Sequence, residues 1–334
     1  MLTHAAPKTV SIVIPNYNGQ ALLEKYLPYT FTAITNAAVD FEIIVVDDCS
    51  TDNSVDYIQK NYPQVKLLRN EQNRGFSFTC NKGIDAAGME LILLLNSDVK
   101  LSPDYFEPLW PYFARADTFG VMGRITNLND PHIQDAARMP KDNFLKLKTA
   151  YFYYSEDSDK SLTLYLSGAN ALIDAAKLKA LGGFNLLFSP FYCEDFELSL
   201  RAWRLNWPCY YEHNAVCGHE LSASTKNYKT ARWVKMIYFR NRYYLHALHL
   251  SGIIRFLWFM QVTFLDLPLK VLTGKTWLLT SYIQFIKHRK EIKQHRALFK
   301  EMMAAHNSST TTTSQVIDTL IRSVEGKQIS KFKS

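Results

Sequence analysis

Leu91-Ile92-Leu93-Leu94-Leu95-Asn96-Ser97-Asp98-Val99 decides how this chain folds. Five apolar residues closed by polar ones predict a strand buried on both faces. The change at Asn96, Ser97 and Asp98 marks where the strand leaves the core. In an open α/β sheet, ligands bind outside the carboxyl ends of the strands. A carboxylate at such an end can hold a hard divalent cation through oxygen. An Asp there also serves as an ordinary helix cap, so the surrounding chain must decide.

Upstream, Thr9 to Ile14 is a β-rich run ended by Pro15, followed by the turn Asn16-Tyr17-Asn18-Gly19. A helix is predicted from Gln20 to about Ala38, with a kink at Pro28. Phe41 to Val46 reads as a second buried strand and ends in Asp47-Asp48-Cys49-Ser50-Thr51-Asp52, residues that supply turns and N-caps. A helix to Asn61, a strand Val65–Leu68, a loop Asn70–Gly75 and a helix Phe76–Ala87 complete the approach to Leu91. Strands alternating with helices predict βαβ units and a mainly parallel sheet. Three strands then place polar clusters on one sheet edge, where a nucleotide is the natural ligand. The first turn is not G-x-G-x-x-G and there is no P-loop, which counts against a dehydrogenase or a P-loop NTPase.

Downstream, Ser102-Pro103-Asp104 predicts a helix start, and Gly120 to Ile125 a strand. Residues 127–160 read as an irregular loop, polar and then aromatic, of the kind that shapes substrate sites. Leu162–Leu166 is read as a strand, and a helix runs from Asp174 toward Gly182-Gly183. From Asp195 an amphipathic helix follows, with Phe196, Leu200 and Trp203 on one face. Glu194 and Asp195 stand at its start, where the helix dipole favours an ionised carboxylate. Tyr210 to Cys217 is strand-like, and His219 comes just past its end.

The chain has 334 residues, enough for one large domain or two ordinary ones. Its five cysteines are odd in number, form no C-x-x-C pair and follow no signal peptide, which implies free thiols in a reducing compartment. The net charge of +7 is uneven. Lys226 to Lys300 holds 15 Lys and Arg against Asp266 and Glu291, a net +13, so the rest carries 7 − 13 = −6. A basic segment this rich in aromatic and aliphatic residues fits an anionic membrane surface better than nucleic acid.

These residues resemble a family 2 glycosyltransferase of the GT-A fold, on the branch that includes rhamnosyltransferase-like enzymes of bacterial surface polysaccharide synthesis. The matching pieces are SIVIPNYNG from Ser11, IIVVDDCSTDNS from Ile43, NRGFSFTCNKGI from Asn73, LLLNSDV from Leu93, SGANALI from Ser167, GGF from Gly182 and EDFELSLRAWR from Glu194. They cover roughly residues 9–220, in the family's order. The resemblance implies an α/β, Rossmann-like, mostly parallel sheet in residues 1–225. A basic helical extension, 226–306, and a disordered tail, 307–334, would follow.

It also implies roles. Pro15, Tyr17, Asn18, Asp47 and Asp48 would hold the base and ribose of a nucleotide-sugar donor. Asn73, Gly75 and Asn81 would shape the wall of that pocket. Asp98, preceded by Asn96 where relatives often have Asp, would bind Mg²⁺ or Mn²⁺ with His219. Asp195 would be the general base, and Gly168, Asn170 and Glu194 would lie near the acceptor. The chemistry explains these types. A sugar hydroxyl needs a carboxylate to take its proton, and a nucleoside diphosphate leaving group needs a cation. One base without an enzyme nucleophile implies inversion at the anomeric carbon. Cys80 stands where many relatives carry Arg.

In the basic segment, residues 230–249 read as a helix with Trp233, Ile237, Tyr244 and Leu248 on one stripe. Arg240 and Asn241 share that stripe. Arg240 either snorkels or reaches the diphosphate of donor or acceptor. Ile253–Leu269 is interrupted by Arg255, Asp266 and Pro268, so interfacial helices are expected there instead of a membrane span. A dimer interface is the other use for such helices. From Asn307 the Ser/Thr-rich composition predicts disorder, with a short helix near Val316–Val324. The combined expectation is a transferase peripheral on the cytoplasmic face of a membrane, acting on a glycan or lipid-linked glycan acceptor. A polyprenyl-phosphate glycosyltransferase and a catalytically inactive binding module are the alternatives.

Overall fold

The computed structural model describes residues 8–128, 130–141, 143, 145–155, 160–220, 230–306 and 311–332. Strand and helix alternate from the start: β1 (Val10–Asn16), α1 (Gln20–Asn36), β2 (Phe41–Asp47), α2 (Ser54–Asn61), β3 (Lys66–Arg69), α3 (Phe76–Ala86) and β4 (Leu91–Leu95). β1 pairs with β2 on one side and β4 on the other, and β2 pairs with β3, all in parallel. The chain therefore leaves β1 in both directions, which opens a crevice at the carboxyl ends of β1 and β4. All five β4 residues are buried. Leu91, Leu93 and Leu95 face the layer that holds Leu23, Leu27 and Ile34 of α1, while Ile92 and Leu94 face the layer with Ile84 of α3.

After β4 the chain departs from the predicted helix at Ser102. It forms β5 (Val99–Leu101), a turn, and a 3₁₀ helix at Glu107–Ala114. Pro108 and Pro111 lack the N–H groups that an α-helix interior needs, and short 3₁₀ turns tolerate that. Then come β6 (Gly120–Asn127), β7 (Asp130–Asp135), β8 (Ala137–Pro140), β9 (Thr149–Ser155), β10 (Ser161–Leu162), β11 (Asn170–Asp174), α4 (Ala175–Ala180), α5 (Glu194–Arg204) and β12 (Cys209–His219). Residues 127–160 are thus not simply irregular, since three strands lie within them. The strand expected at Leu162–Leu166 stops at Leu162, because Leu164 N–H bonds to the Arg138 carbonyl outside any ladder.

The large sheet has the order β10-β12-β6-β11-β4-β1-β2-β3, with β5 on β12 and β7 on β6. β11 is antiparallel to both β4 and β6, and β12 is parallel to β6. So β1, β2, β3, β4, β6 and β12 all point one way, and their polar ends collect on one edge.

The basic segment folds as α6 (Ala231–His249), α7 (Gly252–Gln261), α8 (Leu267–Leu272), α9 (Trp277–Lys287), α10 (Arg289–Ala305), α11 (Thr313–Arg322) and β13 (Ile329–Phe332). It is not a detached arm: Tyr244, Trp258, Phe285 and Ile292 belong to the same core layer as Ile92 and Leu94. The disorder expected from 307 onward is corrected over 311–332. Thr312 and Gln315 form a capping box that starts α11. Val316 and Leu320 are buried, and β13 pairs with β9. The Ser/Thr run supplies a helix cap, which composition alone reads as disorder.

Residues 252–272 form a longer continuous apolar helical run than expected. α7, a π-helical turn at Val262–Asp266 and α8 form one run, Gly252–Leu272, of 21 residues and mean hydropathy 1.3. By length and composition alone it can cross a membrane. Pro268 sits in the first turn of α8, where a missing N–H is tolerated. Asp266 is neutralised by Lys146 Nζ at 2.9 Å. One face docks on the protein through Trp258, Val262 and Leu267, while Phe264, Leu269 and Leu272 stand 63%, 61% and 83% exposed.

Candidate active site

The polar strand ends enclose a cleft of about 370 Å³, within the range of small-molecule sites. Pro15 lies near the end of β1 and Tyr17 and Asn18 follow it, Asp48 follows β2, and Asn96 and Asp98 follow β4. Gly168 precedes β11, Glu194 and Asp195 open α5, and His219 closes β12. These ten residues, far apart in sequence, line one space.

Asp48 organises the entrance. Its carboxylate accepts from Asn70 Nδ2 and from the backbone N–H groups of Arg74 and Gly75, each at 2.8 Å. Gly75 has φ of +82°, which glycine adopts without strain. Asp48 is therefore mostly occupied in holding the 70–75 loop, with little lone-pair capacity left for a ribose. Asn18 Oδ1 accepts from Thr51 N–H at 2.7 Å and ties the first two polar loops together.

Six of the expected site residues lie off the cleft lining. Asp47 is buried and accepts from Asn16 Nδ2 and Ser50 N–H, both at 3.0 Å. Asn73 is exposed. Gly75 supports the cleft only through Asp48. Asn81 makes a two-way amide pair with Phe184 N–H and carbonyl at 2.8 Å, joining α3 to the segment after α4. Asn170 is fully buried and donates to the Gly123 carbonyl at 3.0 Å and to Cys217 Sγ at 3.3 Å, so it fixes β11. Arg240 donates to the Ser189 carbonyl and to Asn241 Oδ1, and lies over the Tyr244 ring. Its partners are protein groups, and it is not among the residues that line this cleft.

His219 Nε2 lies 3.3 Å from Asp98 Oδ1, and His219 Nδ1 lies 3.4 Å from Gln134 Oε1. Burial disfavours the imidazolium, but the Asp98 carboxylate outweighs it and raises the His219 pKa above its ordinary value. A carboxylate and an imidazole converging on one cleft suit Mg²⁺ or Mn²⁺. No group of three or more His, Cys, Asp or Glu gathers among the described residues. A cation here would have these two protein ligands and take the rest of its shell from bound ligand and water.

Asp195 is held by the first turn of α5, where Phe196 N–H donates to its Oδ1 at 2.7 Å. Burial pushes its pKa up, opposed by Arg138 and by backbone N–H groups including that of Gly168. Burial, with Asp195 beside it, pushes the Glu194 carboxyl well above the usual range. Glu194 Oε2 has no hydrogen-bond partner among the described residues.

Arg138 was not foreseen. It comes from β8, pairs with Asp135, donates to the Tyr165 carbonyl at 3.0 Å and lies 4.1 Å from the Tyr165 ring centroid. Nothing in a motif marks it; the only signal was that residues 127–160 would shape the site. Phe76, Thr79, Phe191 and Tyr192 also line the cleft and were not predicted.

A second cleft of about 550 Å³ abuts the first and shares Tyr192, Glu194 and Asp195 with it. Its other walls come from β9, α5 and α6, with Phe152, Phe239 and Arg242 among them. The two carboxyls thus stand in the partition between two spaces.

The family model described as Glycosyl transferase family 2 matches residues 11–182, just over half of the chain. The sequence is 35% identical over 107 residues to "Uncharacterized glycosyltransferase YibD" of Escherichia coli (strain K12), covering 30% of this chain and 29% of that one. It is 31% identical over 121 residues to "Succinoglycan biosynthesis protein ExoO" of Rhizobium meliloti (strain 1021), covering 36% and 33%. The chain thus spans about a third of the length of these curated relatives. Among solved structures, GalNAc-T7 with UDP, GalNAc and Mn²⁺ aligns with TM-score 0.62 at 14% identity, over 96% of this chain and 57% of that one. S. aureus TarS 1-349 in complex with UDP-GlcNAc aligns with TM-score 0.56 at 16% identity, over 94% and 92%. At such identities the structural likeness concerns the fold. With a GT-A fold and a family match over residues 11–182, the chain belongs to glycosyl transferase family 2.

Proposed function

We propose that this protein is an inverting glycosyltransferase that moves a sugar from a nucleoside-diphosphate donor to a hydroxyl of a glycan in cell-surface polysaccharide synthesis. The observation that carries this reading is the position of Asp195 in the partition between two clefts. The first cleft takes the donor, with the base near Tyr17 and the diphosphate toward Asp98. The second takes the acceptor. An acceptor hydroxyl at the partition gives its proton to Asp195 as its oxygen attacks the anomeric carbon. The bond from that carbon to the diphosphate oxygen breaks on the opposite face. A single displacement inverts the configuration, and holding both substrates at the partition supplies much of the rate. Glu194, protonated where Asp195 is ionised, donates a hydrogen bond to the acceptor sugar.

Asp98 and His219 would hold Mg²⁺ or Mn²⁺, which would stabilise charge developing on the leaving diphosphate. Attachment to a membrane surface, with the 252–272 helix in the plane of the interface, is part of this reading, and the exposed Phe264, Leu269 and Leu272 support it.

The test is nucleoside diphosphate release from a panel of nucleotide-sugars, with membrane lipid extract as acceptor, with and without Mn²⁺. Turnover with one donor class is expected, and absence of both turnover and nucleotide binding would overturn the transferase reading. In the same assay, His219→Ala raises the Mn²⁺ concentration for half-maximal rate by at least about tenfold. An unchanged Mn²⁺ curve removes His219 from the metal site.

A further inference from the structure

Arg240 and Asn241 interrupt the apolar stripe of α6, and neither lines the two clefts. Asn241 is fully buried. Its Nδ2 donates to the carbonyls of Phe188, Phe191 and Tyr192 at 2.7, 2.9 and 2.9 Å. Its Oδ1 accepts from Arg240 Nε at 3.0 Å and Nη2 at 2.8 Å. Arg240 also donates to the Ser189 carbonyl. The amide fits one way round only, because carbonyls accept and a guanidinium donates. Together these two side chains of α6 bind four carbonyls of residues 188–192.

That backbone needs holding. Tyr192 and Cys193 have φ of +77° and +69°, so two successive residues with side chains sit in the left-handed region. Residues other than glycine stay there only where their surroundings over-determine it. Cys193 immediately precedes α5 and makes no side-chain cap to it. Its carbonyl accepts from Glu197 N–H at 2.9 Å. The left-handed turn therefore fixes where α5 begins, and with it the direction in which Glu194 and Asp195 leave the chain. The loop also leans on the start of α3, where Phe76 N–H donates to the Pro190 carbonyl at 3.1 Å. On the α6 side, Phe191 packs edge-on to Trp233 and Tyr192 to Tyr238, with centroids 5.8 and 5.9 Å apart.

We propose that Asn241, braced by Arg240, is a positioning residue for the reaction: it holds residues 188–193 in the left-handed turn that aims Asp195 and Glu194 into the partition between the clefts. This rests on the glycosyltransferase reading and adds a residue of the C-terminal helices to the support of the base. The family match ends at residue 182, before both the loop and Asn241. The helices after residue 230 thus complete the site as well as carrying the exposed apolar face.

The test uses the full chain and Asn241→Asp. That change keeps the size of the side chain and its bonds from Arg240, but replaces the N–H donors with an acceptor. Asn241→Ala is the second variant. Hydrogen–deuterium exchange read by mass spectrometry follows the loop without any substrate. Exchange over 188–197 should rise at least about tenfold in either variant, while β1 and β4 keep wild-type rates. In the nucleoside diphosphate release assay, kcat should fall at least about tenfold, with nucleotide affinity within about threefold of wild type. Glycine takes the left-handed region without strain. In a Cys193→Gly background the same substitutions should therefore cost no more than about threefold in kcat.

Unchanged exchange over 188–197 would overturn the proposal. A rise shared equally by β1 and β4 would make Asn241 an ordinary core residue and overturn it as well. Faster exchange with unchanged kcat would mean that the turn does not aim the base, with the same consequence. An equal loss of kcat in both backgrounds would separate Asn241 from the left-handed turn and overturn the proposal too. Wild-type turnover and nucleotide binding are measured separately. If both persist while the variants behave as wild type, this inference fails and the transferase reading stands. If the wild type shows neither, the transferase reading fails and this inference with it.

Discussion

Replacing Asp195 with Asn lowers turnover by about 10²–10⁴-fold, the usual worth of a positioned general base. Nucleotide affinity stays near wild type. The amide keeps the shape of the side chain and its bond from Phe196 N–H, but it cannot take a proton from the acceptor. The pH profile gives an independent reading. Burial raises the Asp195 pKa above the ordinary 3.8, and Arg138 only partly offsets this. A base works when ionised, so the rate is full above the raised pKa and falls as pH drops through it. The acid limb of kcat should therefore lie at higher pH than a solvent-exposed aspartate would give. Steady-state kinetics of nucleoside diphosphate release across pH provide both numbers. A mutant within a factor of a few of wild type would remove Asp195 from the chemistry.

Glu197→Ala should cost about 3–5 kcal/mol of stability, because it strands a buried guanidinium. Glu197 is 2% exposed and accepts from Arg201 Nε at 3.0 Å and Nη2 at 2.9 Å. His249 Nε2 lies 3.5 Å away on its other oxygen. Arg201 also donates to the Leu181 and Gly183 carbonyls. The Glu197–Arg201 pair thus ties α5 to α6 through His249 and to the segment after α4 through the Leu181 and Gly183 carbonyls. Against a typical total stability of about 5–15 kcal/mol, that loss is large. Urea unfolding measures it, and a change below about 1 kcal/mol would place this pair among the weak ones.

The linkage has a definite sign. Burial alone would raise the Glu197 pKa, but Arg201 and His249 overcome it and hold it at about 2, below the ordinary 4.5. Its contribution is therefore present above pH 4.5 and is lost as pH falls from there toward 2. The His249 pKa is lowered by burial, opposed by Glu197. Its neutral form therefore adds to the same acid sensitivity, beginning below the ordinary histidine value.

β1, β2 and β4 were legible because each is a buried run closed by polar residues, and that pattern also put Asn18, Asp48 and Asp98 on one edge. β11 was not legible as a strand between β4 and β6, since its neighbours come from remote parts of the chain. The same holds for β13, four residues whose partner β9 lies far upstream. Arg240 was readable as a misfit on an apolar stripe, but its partners Ser189 and Asn241 were not. The helix that starts after Asp174 was legible because its cap is local, the Asp174 side chain accepting from Lys177 N–H. Where prolines or distant partners decided the backbone, as at Glu107–Ala114, the sequence pattern misled. Asp195, here proposed as the base, was marked by its motif; Arg138, which opposes the effect of burial on it, was not.

The position of β11 has a consequence for synthesis. β4 is complete at Leu95, yet its second neighbour begins at Asn170. At translation rates of about 5–20 residues per second, roughly 4–15 s separate the two on the ribosome. Through that interval β1, β2, β3 and β4 can assemble with one apolar edge bare. The chaperone demand of the nascent protein is set by how far apart in sequence two neighbours in one sheet lie.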